Sequence, residues 1–237
     1  TDGSTAIAEA AGAKVIRNGV NLGFGMANNI GLRAAVTEWV LLLNPDARLE
    51  SGFFAAMEQA VATRPEAAIL VPSITTSRGP FRKWSSILTP SGFEGHEIAP
   101  GIRSIGFASG GILLARRDAL LAIGGFDEDI FLYFEDDDLS RRALDADHEI
   151  LLVEGAKAIH IGNVSTPPSP ELTAMKQWHL AWSERHVRKK FGMVPPGYWR
   201  VAESLVKMFL AKLTGNSMEE AKPVSYTHLT LPTKRIV

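Results

Sequence analysis

The stretch Glu38-Trp39-Val40-Leu41-Leu42-Leu43-Asn44-Pro45-Asp46-Ala47 constrains the fold of this chain more than any other. A short apolar run stops at a polar triplet, and such a run bounded by a turn signal reads as a buried strand. Proline cannot continue a central strand, so Pro45 ends it. Asp46 is thereby placed at the carboxyl end of a buried strand, the edge at which open α/β sheets bind ligands. A carboxylate there can hold a hard divalent cation. The same triplet also reads as a plain turn in which Asp46 caps the next element. Taken alone, the turn is the stronger reading; the flanking sequence reverses the balance.

Upstream, Thr5–Ala11 reads as the end of a small helix closed by Gly12, and Lys14-Val15-Ile16-Arg17 as a short strand. Asn18 to Gly25 is rich in Asn and Gly and must be a loop. From Met26 a helical period appears, with Met26, Ile30 and Ala34 on one face. It leads into the strand ending at Asn44, which makes strand, Gly-rich loop, helix, strand: a βαβ unit. Downstream, Phe53–Thr63 is a helix stopped by Pro65, and Ala68–Ile74 a strand. Thr75–Ser104 has little period, and a loop of that length in a compact domain is usually functional or mobile. Phe107–Ala115 is a strand interrupted by Ser109-Gly110-Gly111, and Arg117–Ile123 a short helix closed by Gly124-Gly125. A helix runs from Glu135 through Ala146, followed by two strands, Glu149–Val153 and Ala156–His160. Beyond the Pro-rich Thr166–Pro170 lie two helices, Glu171–Phe191 and Tyr198–Leu213.

The alternation predicts an α/β fold, and 237 residues suffice for a substantial core. Without cysteine there is no disulfide, thiolate metal site or cysteine nucleophile. A net charge of -1 gives no global field to attract nucleic acid, so none is expected as a partner. No apolar run is long enough to span a bilayer, and no signal peptide opens the chain.

Three features could carry chemistry. The loop Asn21-Leu22-Gly23-Phe24-Gly25 precedes a helix start, whose free N–H groups suit phosphate. A dinucleotide fingerprint fails here, because Asn28 stands where its third glycine should be, and taken alone a tight turn that merely needs glycines is the stronger reading. The run Glu135-Asp136-Asp137-Asp138 would offset a helix macrodipole, but four consecutive carboxylates exceed that need. Their mutual repulsion should raise at least one pKa, which suits a general base working near neutrality. His160 ends an apolar strand, where a lone histidine is more often structural than a ligand; His96, His148, His179 and His186 lack a comparable position.

The order of these features carries a resemblance. Gly23-Phe24-Gly25-Met26-Ala27-Asn28-Asn29-Ile30-Gly31-Leu32-Arg33-Ala34-Ala35 followed by Glu38 to Asp46 resembles the sugar-nucleotide half of family 2 glycosyltransferases, in their rhamnosyltransferase-like bacterial branch. Ser109-Gly110-Gly111, Gly124-Gly125-Phe126-Asp127 and Phe131-Leu132-Tyr133-Phe134-Glu135-Asp136 resemble the acceptor half, and Ala158-Ile159-His160-Ile161-Gly162 the closing metal-histidine segment. The resemblance implies a GT-A fold, Rossmann-like, with a mostly parallel mixed sheet flanked by helices. It implies that Asp136, with Glu135 beside it, is the catalytic base. Asp46 and His160 become ligands of Mg²⁺ or Mn²⁺, with Asn44 in place of the family's first aspartate. Asn21, Gly23, Asn28, Asn29 and Asp46 would face the nucleotide sugar, and Ser109 and Gly110 the acceptor. The partners implied are a dTDP-, UDP- or GDP-sugar and a glycan or lipid-linked acceptor, as in bacterial cell-surface polysaccharide synthesis.

Two departures stand out. The family begins with a strand, a helix and a base-binding segment that this sequence lacks, so the chain is expected to be an N-terminally truncated fragment, with Thr1-Asp2-Gly3-Ser4 as the remnant. Asp137 stands where the family usually has an apolar residue. The expected organisation is a transferase domain over 1–165, a helical extension over 166–215 and a non-native or disordered tail over 216–237. In the extension Trp199, Ala202, Leu205, Val206, Phe209 and Leu213 form an apolar stripe flanked by basic residues. It packs on the domain or a partner, or rests on an anionic membrane; the expected location is cytoplasmic, at the inner face of the plasma membrane. The rival readings are a non-catalytic remnant that binds a partner or membrane, and, more weakly, a nucleotidyltransferase, which would want a basic phosphate-gripping loop that the sequence does not show.

Overall fold

A computed structural model describes residues 3–162, 169–194 and 206. In chain order they form α1 (Ser4–Ala10), α2 (Phe24–Ala34), β1 (Trp39–Leu43), β2 (Ala47–Leu49), α3 (Phe53–Thr63), β3 (Ile69–Thr76), β4 (Gly79–Pro80), β5 (Glu97–Ala99), β6 (Ile102–Ser104), β7 (Ile112–Arg116), α4 (Arg117–Ala122), α5 (Glu135–Asp145), β8 (Ile150–His160) and α6 (Pro170–Lys190). The strands make one sheet, ordered β1-β7-β3-β8-β6-β5, with β2 paired to β8 and β4 to β3. β1, β3 and β8 run one way, as α/β crossovers require. β7 is threaded antiparallel between β1 and β3, so the bonded parallel pair is β3 with β8. The reason is topological: the excursion after β3 returns at the end of the sheet from which β3 left.

The strands are apolar on both faces because both are covered. On β7 the neighbours Ile112 and Leu113 are fully buried on opposite sides. Leu113 packs with Leu32 of α2, Leu120 of α4 and Leu139 of α5, while Ile112 packs with Phe53 and Met57 of α3. The alternating pleat of a strand produces this division.

Four local expectations change. Residues 14–17 find no neighbouring strand among the described residues, so they remain without a ladder. The Thr75–Ser104 stretch carries β4, β5 and β6. The strand expected from Phe107 begins only at Ile112, after the glycine pair. The two closing strands are one, β8, in which a register shift pairs Pro72 with Val153 but Ser73 with Lys157 and leaves Glu154-Gly155-Ala156 without partners on β3. α6 packs onto the segment before α5: Ser183 Oγ donates to the Leu132 carbonyl oxygen at 2.9 Å, and Val187 is buried with Leu88 and Ile130. The expected Tyr198–Leu213 helix, Val206 apart, and the tail over 216–237 lie outside the described residues. Among the described residues no helix is long and apolar enough to cross a membrane.

Candidate functional site

The turn after β1 closes on itself, the Ala47 N–H donating to the Asn44 carbonyl oxygen at 3.0 Å. β2 then pairs with the end of β8, Ala47 opposite His160. That register brings Asp46 Oδ1 within 3.0 Å of His160 Nε2, with side chains 14% and 28% exposed. The glycine pair before β7 sits against His160 and Asn44. The Asn44 N–H donates to the Gly111 carbonyl oxygen at 2.9 Å, and a Cβ on Gly111 would meet Asn44 Nδ2 at 3.3 Å and His160 Cε1 at 3.4 Å. One residue earlier, the Gly110 N–H donates to Asp136 Oδ2 at 3.3 Å. Asp46, His160, Ser109, Gly110 and Asp136, far apart in sequence, thus converge on one edge of the sheet.

Asp136 is delivered by a strained approach. Tyr133 and Phe134 both have φ of 66°, a left-handed conformation that bulky residues rarely adopt and that stores about 1–2 kcal/mol each. Nothing in sequence pattern signals this. The acid run at the start of α5 divides by partner. Lys83 Nζ lies 3.2 Å from Asp137 Oδ1 and 3.7 Å from the Phe107 ring centroid. Fully buried Asp138 is held by Arg142 at 2.6 Å and Lys190 at 2.6 Å. Neither Glu135 nor Asp136 ion-pairs with a cation among the described residues; Asp136 accepts backbone N–H bonds from Gly110 and Asp137, and Glu135 Oε2 is buried without a hydrogen-bond partner.

Burial, more than the mutual repulsion expected from the sequence, pushes both carboxyls up. For Glu135 the Asp136 charge adds to burial; for Asp136 the Asp137 charge adds to it and Lys83 opposes it. A carboxyl whose folded pKa lies above its unfolded value makes stability fall as pH rises from the ordinary carboxylate range through the folded value. Glu135→Gln is therefore expected to raise the melting temperature at about pH 8 by about 2–4 °C per kcal/mol recovered, and to change little at about pH 5, where the native Glu135 is already protonated. Thermal unfolding at both pH values checks this.

The Asn-rich loop presents a different picture from the expected row of nucleotide contacts. Asn21 Oδ1 accepts from the Gly23 N–H at 3.1 Å. Gly23 has φ of +84°, and a Cβ there would overlap the Phe131 carbonyl oxygen, to which the Phe24 N–H donates at 3.2 Å; only glycine fits so close an approach. Asn21 and Gly23 therefore shape the loop directly beside the segment leading to Asp136. Asn29 is committed elsewhere, whereas Asn28 makes one bond within its own helix. Asn28 Nδ2 donates to the Phe24 carbonyl oxygen at 2.9 Å. Asn29, only 1% exposed, donates to the Phe126 carbonyl oxygen at 2.9 Å and accepts from the Phe126 N–H at 2.8 Å. The expectation that Asn29 faces the nucleotide gives way to this bracing role. Asn29→Ala would orphan two buried backbone groups, at about 1–3 kcal/mol each. Urea unfolding should show a loss of about 2–4 kcal/mol, with nucleotide affinity unchanged.

Sequence reasoning passed over Lys83 and the cluster around Asp127. Asp127, Asp129 and His186 offer ligand atoms within 4.8 Å of one another. His186 Nε2 is 3.0 Å from Asp127 Oδ2, and Lys190 Nζ is 2.7 Å from the same oxygen. The His186 hydrogen bond, assisted by Lys190 and the Asp129 N–H, outweighs burial and holds Asp127 well below the usual carboxylate range. Because Lys190 also bridges to Asp138, an ammonium already supplies the positive charge here, and the cluster pins α6 to α5. Asp46 and His160 offer a second donor pair that could take a cation. A carboxylate and an imidazole meet at a partly exposed edge, and two protein ligands leave room for phosphate oxygens and water.

The family profile described as "Glycosyl transferase family 2" matches residues 1–124, half of the chain. This chain belongs to glycosyl transferase family 2. The family member is 29% identical, over 84% of its own length and 74% of the relative's, to the N-acetylglucosaminyl-diphospho-decaprenol L-rhamnosyltransferase of Mycobacterium tuberculosis. It is a rhamnosyltransferase-like glycosyltransferase of the nucleotide-sugar-using kind. Its fold matches that of the mannosyltransferase PcManGT from Pyrobaculum calidifontis in complex with GDP-Man and Mn²⁺, with a TM-score of 0.57 at 12% identity, covering 99% of this chain and 76% of that one. GalNAc-T7 with UDP, GalNAc and Mn²⁺ aligns at a TM-score of 0.51 and 16% identity, over 73% of this chain and 38% of that one. The fold is thus the GT-A fold expected, but its sheet is not the mostly parallel one expected. Of the seven strand pairs among the described residues only β3 with β8 is parallel, because the added strands return beside their neighbours as antiparallel partners.

Proposed function

We propose that this family 2 glycosyltransferase moves a sugar, rhamnose by its likeness to the mycobacterial relative, from a nucleotide sugar to a hydroxyl of a glycan or lipid-linked acceptor, with inversion, in bacterial cell-surface polysaccharide synthesis. The observation that carries this reading is one continuous link: Asp46 touches His160, His160 lies against Gly111, and the neighbouring Gly110 bonds Asp136. Asp136 stands without an ion-pair partner among the described residues and with a pKa raised toward neutrality, as a general base requires. It takes the proton of the acceptor hydroxyl while that oxygen bonds the anomeric carbon. The bond from that carbon to the phosphate oxygen breaks, and its electron pair leaves with the nucleoside diphosphate. The sugar carbon passes through an oxocarbenium-like state. Ser109 and Gly110 border the acceptor side, and the Asn21–Gly23 loop borders the donor side. Asp46 and His160 would hold Mg²⁺ or Mn²⁺, which when bound supplies Lewis-acid stabilisation of the leaving diphosphate. An oxygen and imidazole set suits Mn²⁺ somewhat better. A lipid-linked acceptor would place the enzyme at the cytoplasmic face of the membrane. The test is transfer from dTDP-rhamnose to a soluble N-acetylglucosaminyl diphosphate lipid analogue, with Mn²⁺ and with excess chelator. Turnover only with the cation supports the reading, and equal turnover with chelator contradicts its metal dependence.

A further inference from the structure

The excursion between β3 and β7 walls a cavity that the reaction above does not use. The wall is tied at both ends: the Phe81 N–H donates to the Ile74 carbonyl oxygen at 2.8 Å, and the Gly106 N–H to the Trp84 carbonyl oxygen at 2.8 Å. Beside it, β8 bulges away from β3 at Glu154-Gly155-Ala156, and bulges of this kind re-aim side chains beside active sites. The open cleft so bordered holds about 700 Å³, within the size range of small-ligand sites. A separate small space of about 20 Å³ shares Phe81 and Trp84 and is also lined by Lys83, Phe107 and Ser109. Ser109 precedes Gly110, which bonds Asp136, so the shared wall of Phe81 and Trp84 borders the segment that holds the candidate base.

Its chemistry is specific. Phe81 and Trp84 are 37% and 40% exposed, two large rings presented to an open cavity. The Arg103 guanidinium lies 5.8 Å from the Trp84 ring centroid and steadies that ring. Ser73 and Thr75 bring hydroxyls from alternate positions of β3. Glu50, Arg82, Glu154 and Lys157 add two charges of each sign, and none of the four is ion-paired among the described residues. A phosphate would want an excess of cations, and a lipid chain would want a continuous apolar wall. Flat aromatic faces for C–H groups, with hydroxyls, carboxylates and guanidinium for hydroxyl partners, match a sugar ring.

We infer that this cavity is a saccharide subsite holding a pyranose of the acceptor between Phe81, Trp84 and the β3–β8 bulge, an assignment that rests on the transferase reading above. Saturation-transfer NMR with the methyl glycosides of N-acetylglucosamine, glucose and rhamnose tests it on the whole chain, without turnover. At least one glycoside is expected to bind saturably. Trp84→Ala should weaken it about tenfold, and Trp84→Phe, which keeps a ring face, should restore most of the affinity. Circular dichroism identifies a variant that has failed to fold, and Phe81→Ala then takes the place of Trp84→Ala. Absence of glycoside binding, or binding indifferent to both Trp84 and Phe81, overturns the inference. Mn²⁺-dependent titration of dTDP on the same samples separates the two readings. If glycoside binding follows Trp84 while dTDP never binds, the saccharide site stands and its role as an acceptor site falls with the transferase reading.

Discussion

Asp136→Asn should lower kcat by about 10²–10⁴-fold, the usual contribution of a general base, with donor affinity nearly unchanged. The amide keeps the shape of the carboxyl and can still accept from the Gly110 N–H, so geometry survives while basicity is lost. Glu135 cannot substitute, because its side chain is buried with Oε2 unpartnered. The pH profile of the native enzyme carries the same signature. Asp136 acts only when ionised, and burial raises its pKa. The rate should therefore fall as pH drops through a limb displaced above the ordinary aspartate range, toward neutrality. Full activity in Asp136→Asn, measured by donor consumption at saturating acceptor, would remove this carboxylate from the mechanism.

The second large effect is expected at Asp46. Asp46→Ala removes the carboxylate of the proposed cation pair and leaves His160 without its 3.0 Å partner. Lewis-acid stabilisation is worth several kcal/mol, so kcat/KM should fall about a thousandfold. Unlike the Asp136 variant, this one should also lose Mn²⁺-dependent binding of the nucleoside diphosphate, read by isothermal titration. Binding of dTDP that persists unchanged in Asp46→Ala would place the cation elsewhere, and the Asp127, Asp129 and His186 cluster would be the first place to look.

How far the sequence could be read depended on range. The apolar run ending at Asn44-Pro45-Asp46 announced β1 and its turn because strand, breaker and carboxylate are contiguous. Phe53–Thr63 was fully legible as a helix for the same reason. What escaped was decided between distant segments. Asn29 looked like part of a ligand loop, yet its amide is spent on Phe126, 97 residues away. Asp137, where the family usually has an apolar residue, has its countercharge in Lys83, 54 residues earlier in a stretch without period. The run of four acids read as one feature, but only the tertiary partners of Asp137 and Asp138 separate the structural pair from Glu135 and Asp136. His186 had no local sign of importance, because Asp127 reaches it from the loop before α5, 59 residues away. The left-handed Tyr133 and Phe134 were invisible because no glycine marks them.

The proposed chemistry is a single displacement by one acceptor oxygen with one carboxylate as its base. Proton NMR of the glycoside formed in the first minutes of transfer from a donor of known anomeric configuration tests that most directly. A single displacement predicts a product of the opposite configuration, absent in Asp136→Asn. A product that keeps the donor's configuration would require a covalent or front-face path, and would contradict it.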